Sequence, residues 1–266
     1  MTPPPPPEPR HRRIPSAAGP VDLWWRLEPA AAGPGRGRDL LRHAVAARSG
    51  RTADDVLLAP DPVGRPRPLP GQDLPPSPLT AAHCGPLVVA ALITPTPRTG
   101  HKVPSAPETT PLDGTTLGID VEHLSALPSP ALLRHALRPA ERAALNARPA
   151  AGRCAAFLAL WTAKEAVAKA VGWPLLRALV DVEIALDPHP AVARLGGDRA
   201  PRGWHLVPLR LSGLPHTVTL ALHHPHPAPE RENPWISPAG PRSSPEAPAA
   251  SAWPSPTPST ATAPRS

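Results

Sequence analysis

Residues 117–122 have the sequence Leu-Gly-Ile-Asp-Val-Glu, in which large aliphatic side chains alternate with small or acidic ones. An alternation with a period of two predicts a β-strand whose aliphatic side chains face the core. Asp120 and Glu122 then share the opposite face, where two strand positions span roughly 6.6 Å. Two carboxylates at this spacing could bind one hard cation. A half-buried strand with a polar outer face has the same pattern, so the segment by itself leaves both interpretations open.

Residues 153–171 predict a long helix, which Gly172 and Pro174 end in the usual order. Four of its side chains recur every fourth position and therefore form one row along the helix: Phe157, Trp161, Glu165 and Lys169. The simplest interpretation of the charged end of this row is an exposed Glu165–Lys169 ion pair, worth about 0.2–0.5 kcal/mol. Two aromatic residues in the same row fit that interpretation poorly, so a functional interpretation of Glu165 and Lys169 also stays open.

Together, the predicted strand and helix supply three carboxylates, those of Asp120, Glu122 and Glu165. Mg²⁺ binds few protein ligands and completes its octahedron with water and phosphate oxygens, so carboxylates from two elements suit it. Lys164 and Lys169 would add positive charge near phosphate oxygens, as phosphoryl chemistry requires. The combination predicts a magnesium site that acts on a phosphate group.

The two segments resemble the signature of the 4′-phosphopantetheinyl transferases, a Gly-x-Asp-x-Glu strand followed by a helix with Trp-Ser/Thr-x-Lys-Glu-x-x-x-Lys. Residues 118–122 and 161–169 match this signature closely, and the similarity extends from Val21 to His224, with its strongest part in the second half. The resemblance implies a holo-carrier-protein synthase. Such an enzyme uses Mg²⁺ to transfer 4′-phosphopantetheine from coenzyme A to a serine of an apo acyl or peptidyl carrier protein, and it releases adenosine 3′,5′-bisphosphate.

The resemblance also implies roles for individual residues. The metal that bridges the coenzyme A pyrophosphate would be held by Asp120, Glu122 and Glu165. Lys164 and Lys169 would lie near the phosphates, and Glu141 would help to deprotonate the incoming serine or orient a water that does so. The residues expected to act in catalysis are Glu165, Lys169 and Glu141.

The first half resembles the surfactin-type branch of this family, which is double-length and monomeric. Residues 64–66, Gly-Arg-Pro, are similar to its Gly-Lys-Pro turn, and residues 82–83, Ala-His, to its Ser-His pair. By this resemblance, Arg38, Arg65 and His83 are candidate contacts for the coenzyme A phosphates. Without the resemblance, each would be interpreted as a structural histidine or a solvated arginine.

The composition bounds the domain organisation. The chain has 266 residues, and its 46 prolines crowd the two ends. We therefore expect disordered tails at residues 1–20 and 226–266. Between them we predict an α+β fold of two similar lobes related by pseudo-twofold symmetry, at residues 21–112 and 113–225, with a linker at residues 94–116.

Hydrophobic patterning predicts mixed helices and strands in both lobes. The predicted helices are residues 38–48, 130–137, 153–171 and one that begins near 139. The predicted strands are residues 21–27, 54–59, 87–93, 117–122, 181–186, 204–211 and 217–223, the last two joined as a hairpin.

Charge and composition exclude some function classes and leave others open. The net charge of +7 favours an acidic or polyanionic partner. One Phe and no Tyr disfavour a stacking platform for single-stranded nucleic acid. The apolar runs are too short to span a membrane, and no secretory h-region follows the N-terminal arginines, so we expect a cytoplasmic location.

Two alternatives remain beside a functional transferase. A degenerate homologue would bind coenzyme A or a carrier protein without turnover, as the replacement of the usual serine by Ala82 suggests. A basic nucleic-acid-binding protein would carry the carboxylate and Lys-Glu motifs by chance. Duplex binding with a steep salt dependence would favour the second alternative.

Overall fold

The computed structural model describes residues 7–16, 18–28, 35–74, 77–94, 114–123, 127–199 and 201–225. The helices in these residues are α1 (Arg36–Ser49), α2 (Pro130–Ala136), α3 (Pro139–Asn146), α4 (Ala150–Val171) and α5 (Leu175–Asp181). The strands are β1 (Arg10–Ile14), β2 (Val21–Leu27), β3 (Leu58–Pro60), β4 (Pro66–Pro68), β5 (Leu79–Cys84), β6 (Leu87–Ile93), β7 (Thr116–Glu122), β8 (Val182–Ala185), β9 (Ala191–Leu195), β10 (Asp198–Arg199), β11 (Trp204–Leu209) and β12 (Thr217–His223).

The first half is built on an antiparallel sheet in the order β1-β2-β6-β5. Every residue of β6 is buried, because both of its faces are covered. On one face, Val88 and Ala90 pack with Leu40 and Ala44 of α1. Strand β6 therefore has the continuous apolar sequence of a central strand rather than an alternating one.

The second half contains the antiparallel sheet β11-β12-β7, against which α4 packs. Gly118 of β7 permits a very close approach of the helix. A Cβ at that position would collide with the carbonyl oxygen of Ala166 and the amide nitrogen of Ala170. The glycine of the strand motif therefore allows the backbone of α4 to lie directly on β7.

The two sheets share one hydrophobic core. It contains Leu23 and Val89 of the first sheet together with Ile119 and Leu220 of the second. Strands β5 and β7 also lie side by side, and the amide of Ile119 donates to Oγ1 of Thr80 over 3.2 Å. The alternation predicted for β7 is confirmed, since its three large aliphatic side chains face this core and its acidic ones face α4.

The architecture is a mixed α+β fold, as predicted. Each half has an antiparallel sheet with one long helix on it, while the pseudo-twofold relationship stays a prediction. The predicted hairpin is confirmed, because β11 pairs with β12. None of the helices in the described ranges is long and apolar enough to cross a membrane.

The prediction of a disordered tail at residues 1–20 is wrong for residues 10–14, which form β1 along β2. The reason is a buried carboxylate. Asp22 of β2 is inaccessible to solvent and lies 2.8 Å from Nε2 of His11 and 3.0 Å from Nε of Arg13. On its other side, Thr94 donates a hydrogen bond of 2.7 Å. Basic residues of the predicted tail, His11 and Arg13, thus bind a buried acid of the sheet.

Other boundaries also differ from expectation. The strand predicted at residues 54–59 is a 3₁₀ turn at Ala53–Asp55 followed by the short β3, because the Asp55 carboxylate accepts a 2.6 Å hydrogen bond from the Thr52 hydroxyl. The patterning did not predict helix α5. It also did not predict strands β9 and β10 of the small sheet β10-β9-β8. Most of the predicted linker, residues 95–113, and the predicted tail at 226–266 lie outside the described residues.

Candidate active site

Three carboxylates converge between β7 and α4. Asp120, Glu122 and Glu165 each offer one oxygen, and these three atoms lie within 4.8 Å of one another. Asp120 is buried, at 3% exposure, while the other two are partly exposed. The set predicted from two distant motifs is therefore brought together in space, with one side open to a ligand.

The position of the third carboxylate follows from the helix contact at Gly118. Because the α4 backbone at Ala166 lies on Gly118, the preceding helical residue, Glu165, comes level with the next outward-facing strand residue, Asp120. A second contact holds the same part of the helix in place. Thr162 Oγ1 lies 2.6 Å from Oγ1 of Thr219, which is opposite Asp120 in the neighbouring strand.

Lys169 provides the positive charge at this site. Its Nζ donates to Oδ1 of Asp120 over 2.6 Å and lies 3.8 Å from Oε2 of Glu165. The side chain of Lys169 keeps 34% exposure. The simple interpretation of an isolated Glu165–Lys169 ion pair is therefore incomplete, because the closest partner of the lysine is the buried strand carboxylate.

The carboxylates fit a hard divalent cation. Oδ2 of Asp120 is buried and has no hydrogen-bond partner among the described residues, an arrangement that is costly unless a ligand completes it. Burial, together with repulsion from Glu165 and Glu122, raises the pKa of Asp120 to about 7, although Lys169 opposes the shift. Burial and repulsion from Glu122 also raise the pKa of Glu165. A cation bound by these oxygens would relieve both costs.

Glu141 and Lys164 occupy a different place from the one expected. Both side chains are inaccessible to solvent, and Nζ of Lys164 lies 2.7 Å from Oε2 of Glu141. The Glu141 carboxylate also accepts hydrogen bonds from the amides of Arg138 and Ile184. Lys164 donates to the carbonyl of Leu179. In this geometry the two charged groups are buried against each other, and the roles expected of Glu141 in proton removal and of Lys164 in phosphate binding stay predictions.

The burial of Lys164 follows from the direction in which its side chain leaves the helix. Lys164 precedes Glu165 by one residue and therefore points about 100° away from it. It points towards a second hydrophobic core, which contains Leu145, Leu160 and Ile184. Burial raises the pKa of Glu141 and lowers that of Lys164, and the contact between the opposite charges reduces both shifts without cancelling them. The pair joins α3 to α4 and is a structural element next to the site.

Arg65 lies close to the site at the turn between β3 and β4. Its Nε donates to Asp61 over 2.8 Å, and one of its terminal nitrogens donates to the carbonyl of Ala170 over 3.2 Å. Arg65 and Lys169 line the same cavity, which has a volume of about 210 Å³. The structure therefore brings one of the three predicted phosphate contacts to the lysine of the site.

Arg38 and His83 are exposed residues of α1 and β5, respectively. The start of α1 lies close to β5, since a Cβ on Gly37 would be 3.1 Å from that of Ala81. Ala81 lines the cavity that contains Arg65. His83 thus belongs to a strand that lines the cavity and Arg38 to a helix that packs against this strand, although neither is among the lining residues.

Sequence patterning missed the groups that surround Glu122. His123 and His216 have ring centroids 5.3 Å apart, and burial followed by the charge of His123 lowers the pKa of His216. The thiol of Cys84 lies near Glu122, and burial raises its pKa. The pairing of β7 with β12 and the contact of β5 with β7 bring these residues together, and only a correct strand order could have predicted it.

A second cavity of about 210 Å³ opens beside Glu122. Its walls are largely apolar and are formed by Pro128, Leu132, Phe157, Leu158 and Trp161, with His123 at the edge. The stacked rings of Phe157 and Trp161, 5.9 Å apart, are the aromatic part of the helical row found in the sequence.

Residues 116–221 match the model of the 4′-phosphopantetheinyl transferase superfamily. The matched range includes β7, α4 and β12 except for its last residues, and thus all three carboxylates and Lys169. A search of curated proteins found no significant relative. The family likeness is therefore established for the part of the chain that forms the carboxylate site.

Proposed function

We propose that this protein transfers 4′-phosphopantetheine from coenzyme A to a serine hydroxyl of an acyl or peptidyl carrier protein. The observation that carries the proposal is the convergence of Asp120, Glu122 and Glu165 within 4.8 Å, with Lys169 bound to Asp120 at 2.6 Å. These residues lie in the range that matches the transferase superfamily. An acidic cluster alone is common, but a buried carboxylate without a partner on one oxygen is not.

The three carboxylates are the residues that would hold Mg²⁺. The bound ion would supply positive charge for the pyrophosphate of coenzyme A and for the charge that develops on the leaving group. The remaining contributions belong to the side chains of this chain, which bind, orient and neutralise the substrate.

In the transfer step, the serine Oγ forms a bond to the phosphorus next to pantetheine. The bond from this phosphorus to the bridging oxygen breaks, and adenosine 3′,5′-bisphosphate leaves with the electron pair. The serine proton passes to solvent or to a nearby base. Lys169, whose ammonium is partly exposed at the cavity, is positioned to neutralise the phosphate oxygens during this displacement.

The two cavities suit the two ends of coenzyme A. The cavity with Arg65 and Lys169 is cationic and suits the nucleotide phosphates, while the apolar one beside Glu122 suits the uncharged pantetheine arm. The walls of the first cavity come from both halves of one chain, with Thr80 and Arg65 on one side and Lys169 and Trp173 on the other. This supports the proposal that the protein binds its substrate as a monomer.

The carrier protein is the proposed macromolecular partner. The net charge of +7 favours an acidic surface, and electrostatic steering would make the rate of transfer fall with ionic strength. A rate of transfer that is the same at low and high salt would contradict electrostatic steering.

Intact-mass spectrometry of apo carrier proteins tests the proposal. Carrier, coenzyme A and Mg²⁺ are incubated with the wild type, with Glu165→Gln and with a control, Glu183→Gln, whose native side chain pairs with Arg138 outside the site. We expect a mass gain of one phosphopantetheine arm with the wild type and the control. The gain should be lost with Glu165→Gln and with a chelator. Coenzyme A binding without any gain would instead favour the degenerate homologue.

A further inference from the structure

The cavity between the β3–β4 turn and the end of α4 is lined on one side by a tryptophan, Trp173. We infer that Trp173 is an additional substrate-binding residue, whose indole holds the purine base of the nucleotide. The inference rests on the proposed function, because it assumes that the cationic cavity takes the nucleotide end of coenzyme A. It adds a residue that neither sequence motif contains.

The backbone fixes the position of Trp173. Gly172 ends α4 in the left-handed conformation, with φ of 73°, and the amide of Trp173 donates to the carbonyl of Ala168 over 2.9 Å. The β3–β4 turn packs tightly against this helix end, since a Cβ on Gly172 would be 2.5 Å from a methyl group of Val63. The indole therefore projects from a rigid helix end rather than from a free loop.

A cation orients the ring from outside. The guanidinium carbon of Arg177 lies 3.9 Å from the centroid of the Trp173 ring, within the range of a cation–π contact. Arg177 is held in turn by Asp181, at 3.3 Å. The arginine covers part of the indole, and Trp173 is among the residues that line the cavity.

The remaining cavity wall has the chemistry that a nucleotide requires. Lys169 and Arg65 supply positive charge for phosphates, while Gly64 and Pro66 leave space next to the ring. The cavity volume of about 210 Å³ is many times the space that one water needs, so the cavity accommodates a bicyclic base. An aromatic side chain beside two cations is the usual combination for a base joined to phosphate.

The simpler interpretation is that Trp173 only packs against the second core, as Trp204 does. Trp204 is a suitable control, because it packs against the same core and contacts the tilted ring of His223 without lining the cavity. A purely structural tryptophan would change the stability of the fold. A binding tryptophan would change the affinity for ligands that contain the base.

The experiment compares Trp173→Leu, Trp173→Phe and Trp204→Leu with the wild type by isothermal titration calorimetry in the presence of Mg²⁺. The two probes are adenosine 3′,5′-bisphosphate, which carries the base, and 4′-phosphopantetheine, which lacks it. We expect Trp173→Leu to weaken binding of the bisphosphate about 5- to 100-fold, as for a lost base–aromatic stack. Binding of phosphopantetheine should stay within about twofold, and Trp173→Phe should keep most of the bisphosphate affinity.

Three results would overturn the inference. In the first, Trp173→Leu binds the bisphosphate like the wild type. In the second, it weakens both probes equally. In the third, Trp204→Leu has the same effect as Trp173→Leu. If wild type transfers the arm to a carrier protein in these cases, the proposed function stands and only the role of Trp173 fails. If the wild type binds neither probe, both proposals fail.

Discussion

The ammonium of Lys169 lies 2.6 Å from Oδ1 of Asp120, although Glu165 is one helical turn away on the same helix and 3.8 Å from the same nitrogen. The lysine therefore neutralises the most buried carboxylate of the site. The other oxygen of Asp120 remains without a partner in the described residues, so a cation can approach it while the ion pair persists.

Replacing Lys169 by Met should lower the rate of transfer while the protein stays folded. The side chain is 34% exposed, so its loss leaves no large cavity. Removal of one charge that stabilises the leaving phosphate costs roughly 100- to 1,000-fold in comparable sites. The measurement is kcat from intact-mass time courses, with Lys169→Arg as the control that keeps the charge. A methionine variant with wild-type kcat would remove Lys169 from the mechanism.

Stabilisation by Mg²⁺ should increase with pH. The pKa of Asp120 rises from 3.8 to about 7 in the folded protein, so the metal-free protein takes up a proton on folding in this interval. This group therefore makes the free energy of unfolding fall as pH rises from about 4 to about 7. Mg²⁺ competes with that proton and should raise the Tm more at pH 8 than at pH 6. Thermal denaturation with and without Mg²⁺ tests this, and an equal gain at both values, or one that survives in Asp120→Asn, would contradict it.

Glu141→Ala should destabilise the fold by about 3–5 kcal/mol, because it leaves the buried ammonium of Lys164 without its counterion. The double variant Glu141→Leu/Lys164→Met removes both charges and should recover part of this loss, because the amides of Arg138 and Ile184 still lose their acceptor. Urea denaturation gives the free energies of unfolding. A different result, in which Glu141→Gln stays as stable as the wild type but loses transfer at every pH, would support the catalytic role that the family resemblance implies for Glu141.

Gly118→Ala should separate α4 from β7. The new methyl group would collide with backbone atoms of Ala166 and Ala170, which cannot rotate away, so the cost should be at least about 1–3 kcal/mol. Glu165 would move with the helix, and Mg²⁺ binding should weaken as well. The matched control is Gly152→Ala, in the first turn of the same helix, where nothing lies within 4 Å of the added methyl group. This control should be neutral or stabilising by about 0.5–1 kcal/mol. Denaturation curves in which the two variants behave alike would disprove the close-approach argument.

The three carboxylates of the site could be predicted from the sequence, because local periodicity determines which side chains of a strand or helix share a face. The alternation of β7 and the four-residue row of α4 were enough to select Asp120, Glu122 and Glu165, and their convergence follows once the helix packs on the strand. Burial of Lys164 was not predictable in this way, because its position depends on how α3 lies against α4. The hydrophobic pattern of residues 10–14 was also insufficient to predict strand β1. This strand forms because its side chains bind the buried carboxylate of Asp22 on the neighbouring strand.

The most direct test of the central claim is the rate of transfer to an apo carrier protein as a function of Mg²⁺ concentration, for wild type, Asp120→Asn and Glu165→Gln. If the three carboxylates bind the metal that drives transfer, the wild type shows saturable activation and each variant needs at least about tenfold more Mg²⁺ for the same rate. Transfer that persists at an unchanged rate in excess chelator, or variants with the wild-type Mg²⁺ dependence, would show that these carboxylates are not the metal site.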